Sequence, residues 1–146
     1  MSIKDAVLSM CDGTALGTSI AGAALKGDYI DFGAQRDFYD TAKTPDVGEG
    51  GNLWWNCKLT TAIAGASSVV TVALYHYTTA SVASGAALIT AANTAGATTV
   101  GTTIARVKIP VGTIERYVGT VVTIASAAIS TGAIDSWISM DSETPK

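Results

Sequence analysis

The chain has 146 residues, a length that suits one domain with one hydrophobic core. Its net charge is −3, only 14% of its residues are charged, and its cations (Lys26, Arg36, Lys43, Lys58, Arg106, Lys108 and Arg116 among them) are scattered. There is no basic stripe of the kind nucleic acid binding uses, and no run of about 20 strongly apolar residues of the kind a spanning helix needs.

The 48% hydrophobic fraction is mostly alanine, valine and isoleucine, and threonine, serine and glycine supply much of the remainder. β-branched residues punctuated by glycine predict strands joined by tight turns. The first segments, AVLSM and LGTSI, are weak strand candidates, and DYIDFG (28–33) is a short one. The opening MSIKDAVLSMCDG is broken by Asp5 and Asp12 and does not read as a secretory signal. With no export signal, Cys11 and Cys57 are expected as reduced thiols.

NLWWNCKLTTAI (52–63) reads as a strand. SVVTVALYHYT (68–78) is the clearest one, with Val70, Val72 and Leu74 on one face and Thr71, Ala73 and Tyr75 on the other. The alanine-rich stretch 80–95 suits a short helix, or a loop on the sandwich end. TTIARVKI (102–109) alternates Val107 and Ile109 against Arg106 and Lys108 before Pro110 stops it. IERYVGTVVTIA (114–125) is a long strand broken by Gly119, and a mid-strand glycine marks a bulge or a close backbone approach. GAIDSWISM (132–140) closes the series, and the tail DSETPK is polar. The expectation is an all-β fold, one β-sandwich domain over residues 1–146 with about eight antiparallel strands.

Motifs that carry chemistry are sparse. His76 is the sole histidine and lies between two tyrosines on a strand, without a G-x-S-x-G elbow. Cys11, Cys57 and His76 do not have zinc-site spacing. Asp28, Asp31, Asp37, Asp40, Asp46 and Glu49 supply carboxylates but not the EF-hand pattern, and read as solvated turn residues. VGEGGN (47–52) lacks the lysine of a phosphate-binding loop and reads as a turn. The reading is of a protein without catalytic, metal or cofactor residues.

DYIDFGAQRDFYD (28–40) stands out, with four aspartates, one arginine and four aromatics in thirteen residues. It reads as a short strand followed by an interaction loop. Phe32, Phe38 and Tyr39 are its apolar anchors, and Arg36 and Asp37 its rim charges. Phe32 and Phe38 serve equally well as plugs of the sandwich end. Trp54 and Trp55 are adjacent on a strand, so one enters the core and the other faces outward, either as a partner anchor or covered by the long loop 34–50.

The order of IKDAVLSMCDGTALGTSIAG, YIDFG, GEGGNLWWN, VVTVALYHYT, the IP before RYVGT, and GAIDSWIS resembles the capsid cement (decoration) proteins of tailed phages of the Bordetella-phage podovirus type. The resemblance runs over nearly the whole chain. It implies a jelly-roll-like β-sandwich, not an enzyme, that decorates the capsid exterior of a virion after synthesis in the bacterial host cytoplasm. Its partner would be a major capsid protein of HK97-type fold, and it would act as a homo-oligomer, a dimer or trimer. The alternative is a carbohydrate-binding jelly-roll module on the virion surface, with Trp54 or Trp55 stacking on a sugar.

Overall fold

The computed structural model describes residues 8–32, 53–65, 67–81, 83, 85–94, 99–110 and 114–139. They form β1 (Ser9–Ala15), β2 (Ala21–Asp31), β3 (Trp54–Ala64), β4 (Val69–Tyr77), β5 (Ala86–Thr94), β6 (Thr103–Lys108), β7 (Tyr117–Ala125) and β8 (Thr131–Ser139). The antiparallel pairing is nested: β4 with β5, β3 with β6, β2 with β7 and β1 with β8. This is one long ribbon doubled back at the β4–β5 connection. Two further pairings, β3 with β8 and β4 with β7, roll the ribbon into two four-stranded sheets, ordered β1-β8-β3-β6 and β2-β7-β4-β5. The all-β sandwich is therefore a jelly roll.

Each sheet turns one pleat face inward. β4 buries Val70, Val72 and Leu74, the face its alternation predicts. β3 contributes Trp55, Cys57 and Leu59; β7 contributes Val118, Val122 and Ile124; β8 contributes Ile134 and Ile138. Side chains of this kind each stabilise the fold by about 1.5–3 kcal/mol when fully buried.

One polar chain crosses this apolar layer. The Trp55 indole N–H donates to Ser136 Oγ (2.9 Å), the Ser136 and Thr120 hydroxyls share a hydrogen bond of 2.7 Å in which either could be the donor, and Thr120 Oγ1 lies 3.6 Å from Met10 Sδ. The chain ties β3 and β8 of one sheet to β7 of the other and to β1.

The β1 and β2 sides of the two sheets meet. Cys11 Sγ donates to the Lys26 carbonyl (3.2 Å). Gly27 has φ +65°, and a Cβ there would collide with the Met10 carbonyl. The same glycine lies in a bulge where the β2–β7 register shifts between Lys26 and Tyr29. Cys11 and Cys57 are free, buried thiols that both register on Ser136 from opposite sides. Two strand spacings place them roughly 10 Å apart, beyond the reach of a disulfide.

Five local expectations change. The stretch 80–95 is not a short helix or an end loop: most of it is β5, edge-paired to β4. Alanine and threonine do not separate helix from strand by periodicity, and only the pairing decides. Of the short strand expected at 28–33, residues 28–31 are the end of the eleven-residue β2, which starts at Ala21, and Gly33 lies outside the described residues. Of the two weak candidates near the start, AVLSM enters β1 at Ser9 and Met10, with Ala6 and Val7 outside the described residues, while LGTSI is the β1–β2 connection. Gly119 does not break β7, which pairs through it with Tyr75. The bulge lies in β2, and Gly119 is the close approach, since a Cβ there would sit 2.6 Å from Leu25 Cδ1. In β6, Ile109 just beyond the strand is buried, but Val107 at this sheet edge is 39% exposed.

Candidate functional site

The end of β2 and the start of β7 build the most chemically distinctive surface among the described residues. Period-two alternation sends Ile30 inward, where it is buried, and Tyr29 and Asp31 outward. Opposite them, Asp31 registers on Tyr117 and Tyr29 on Gly119. Arg116, immediately before β7, reaches back across the strand pair. Its Nε donates to Asp31 Oδ1 and its Nη2 to Asp31 Oδ2, both at 2.8 Å.

The aromatic rings lock around this fork. The Arg116 guanidinium lies 4.9 Å from the Tyr117 ring centroid. Tyr29 meets Tyr117 edge-on, with centroids 5.2 Å apart and planes at 89°. Tyr29 is 44% exposed, and Arg116 and Asp31 side chains are 42% and 37% exposed. An exposed bidentate pair adds little stability, but it fixes the guanidinium plane, which a bare arginine would not. The Asp31 hydrogen bonds also hold Arg116 firmly in its charged form.

The same outer face continues over β4. Tyr75 shares the row of Tyr29, with Gly119 as the floor between them. Tyr77 shares the next row and tilts against Tyr75, centroids 6.3 Å apart. The Tyr77 hydroxyl is buried with no hydrogen-bond partner among the described residues, and burial pushes it up to about 12. A buried hydroxyl without a partner costs free energy.

Of the residues read from sequence as an interface, the three described ones, Phe32, Trp54 and Trp55, do not share one surface. Phe32 follows β2 on the inward side, half-buried against the core, its N–H bonded to the Arg116 carbonyl (2.9 Å). It is a plug at the sandwich end. Trp55 is fully buried in the core, which removes it from any surface role. Trp54 is half-buried on the other side of β3, between Lys108 and Ser139. That is the outer face of β1-β8-β3-β6, across the sandwich from Tyr29. Asn56 beside it is buried and spends its amide hydrogens on the Trp54 carbonyl (3.3 Å) and Ser139 Oγ (2.8 Å). Arg36, Asp37, Phe38 and Tyr39 lie outside the described residues.

Sequence reading missed Tyr29, Tyr117 and Arg116 as a unit. Asp31 and Arg116 are 85 positions apart, so their meeting is written only in the β2–β7 pairing. The tyrosines at 75 and 77 did carry a signal, since residues two apart on a strand share a face.

His76 is half-buried at the end of β4, where its Nδ1 accepts the Glu115 N–H (3.4 Å). Among the described residues no three of His, Cys, Asp and Glu converge to hold a metal ion. No protein-family model matches the chain, and no curated protein matches it.

Proposed function

We propose that the chain is a structural virion protein that binds the outside of an HK97-type tailed-phage capsid and clamps neighbouring major capsid protein subunits. The observation that carries the reading is the rigid surface of Tyr29, Tyr117 and the Arg116–Asp31 fork, exposed on a jelly roll. The jelly roll agrees with what the cement-protein resemblance implies, although a fold alone does not assign a function.

The residue types suit protein contact. Tyrosine and arginine dominate interface hot spots, and rings held by neighbours lose little entropy on docking. A subunit that bridges two capsomers binds the assembled shell better than free capsid protein, and stabilises the shell by mass action. Bridging makes the second contact effectively intramolecular, so modest interfaces suffice. Homo-oligomerisation multiplies the same gain.

The test is co-sedimentation with heads of the cognate phage that lack this protein, followed by electron microscopy. Saturable binding at fixed lattice positions, lost in Tyr29→Ala, supports the proposal. Absence of binding to intact heads refutes it. The carbohydrate-binding alternative draws on the same exposed Tyr29 ring beside Asp31 and Arg116; it retains Trp54 but not Trp55. A glycan array with no binder would dispose of it.

A further inference from the structure

The two sheets end in four edge strands, β1 and β6 in one and β2 and β5 in the other. An edge presents unpaired N–H and C=O groups and templates pairing with another chain unless it is protected. β1 and β2 protect each other where the sheets meet, through the Cys11 thiol and the Gly27 contact. β6 carries Arg106 and Lys108, and edge cations discourage pairing.

β5 has no such device along most of its length. AALITAANT contains no charge and no proline, and the chain has no Asp, Glu, Lys or Arg anywhere between Lys58 and Arg106. A register shift at Leu88 irregularises one end. From Ile89 to Thr94 the pairing with β4 is regular, and among the described residues no strand lies on the far side.

We propose that the Ile89–Thr94 edge pairs antiparallel with the same edge of a second copy across a two-fold axis. This joins two β2-β7-β4-β5 sheets into one continuous eight-stranded sheet. Three features select a second copy as the occupant. A two-fold axis normal to the sheet lays a strand antiparallel to itself, so one edge supplies both partners. The chain carries a net charge of −3, and this long uncharged segment is where two copies meet without like-charge repulsion. Six residues paired antiparallel exchange about six hydrogen bonds, within the roughly 10 ± 5 of an ordinary interface. The inference concerns the free protein and does not depend on the capsid reading.

Sedimentation velocity from about 1 to about 100 μM spans the weaker dissociation constants expected of such an interface. The wild-type protein is expected to reach twice its 14.8 kDa mass. Amide exchange at 89–94 is expected to slow as concentration rises. Thr90 is exposed, so Thr90→Lys is expected to keep the fold, as read by circular dichroism. It places two like charges near the axis and is expected to weaken association at least tenfold. A wild-type monomer across the range overturns the proposal. So does an oligomer that Thr90→Lys leaves intact, or one in which the 89–94 amides stay unprotected. If Thr90→Lys fails to fold, the wild-type exchange pattern decides alone: protection rising with concentration at 89–94 upholds the pairing, and its absence refutes it.

Discussion

Ser136→Ala tests whether the buried polar chain orders the sandwich. Ser136 Oγ accepts from the Trp55 indole at 2.9 Å and shares a hydrogen bond with the Thr120 hydroxyl at 2.7 Å, and all three residues are completely buried. The substitution strands the Trp55 N–H where water does not reach, at about 1–3 kcal/mol for an unsatisfied buried donor. Thr120 loses a partner worth about 0.5–1.5 kcal/mol but keeps Met10. The expected loss is therefore about 1.5–4.5 kcal/mol. At roughly 2–4 °C per kcal/mol for a chain of this size, Tm falls by about 3–18 °C. Urea unfolding with an unchanged m-value measures it, provided the transition is two-state. Ser130→Ala is the control: its exposed hydroxyl donates to the Ala64 carbonyl (3.2 Å), and it should stay within about 0.5 kcal/mol of wild type. Trp55→Phe made with Ser136→Ala should cost less than the sum of the two singles, because the stranded donor is gone. If Ser136→Ala unfolds within about 0.5 kcal/mol of wild type, the chain of hydrogen bonds is not holding the sheets together.

Gly27→Ala combines a left-handed φ with a Cβ collision against the Met10 carbonyl, so it should lower the urea midpoint by more than Gly13→Ala, whose φ is also positive but whose Cβ meets nothing. Burial pushes Cys11 up to about 11 and Cys57 higher still, so native-state thiol titration at pH 8 should find neither thiol reactive until urea unfolds the chain. With Tyr77 raised to about 12 as well, the folded state keeps protons that the unfolded state releases from about pH 9 upward; stability should be level below pH 9 and fall as pH rises from 9 to 11, and a rise in the urea midpoint over that range would contradict the burial. Asp31→Asn should leave the urea midpoint close to wild type yet weaken binding to heads, because it frees the Arg116 fork rather than the fold.

The legible parts of this fold are those where one pleat face is apolar and the other is not. Val70, Val72 and Leu74 alternate with Thr71 and Tyr75, so β4 could be read directly, and Trp54–Trp55 had to split between surface and core. β5 and the first half of β2 were hidden for one reason. Their Ala, Gly and Thr residues have little preference between faces or between helix and strand, and the neighbours β4 and β7 make them strands. The nested strand order left no local trace, since each pairing joins residues far apart. The candidate site was hidden likewise: DYID was conspicuous by composition, but its partners Arg116 and Tyr117 become neighbours only when β2 finds β7.

The separation of the aromatic groups constrains any clamp built from this chain. Tyr29, Tyr75 and Tyr117 lie on the outer face of β2-β7-β4-β5, whereas Trp54 lies on the outer face of the other sheet. Stacked sheets are about 10 Å apart, and side chains on both outer faces widen the gap. No single flat surface touches both groups at once. If the tyrosine face docks on a capsomer, Trp54 points away from it, and it serves a different neighbour or none. Pairing through β5 would place two tyrosine faces side by side on one continuous sheet, facing the same way. A dimer made so presents its two Arg116–Asp31 forks to one shell surface, which is the geometry in which linked contacts to two capsomers reinforce each other. Tyr29→Ala should then weaken binding to heads far more in the dimer than in the monomeric Thr90→Lys background, because only the dimer multiplies the loss. Equal losses in both backgrounds would show that the two faces do not act together.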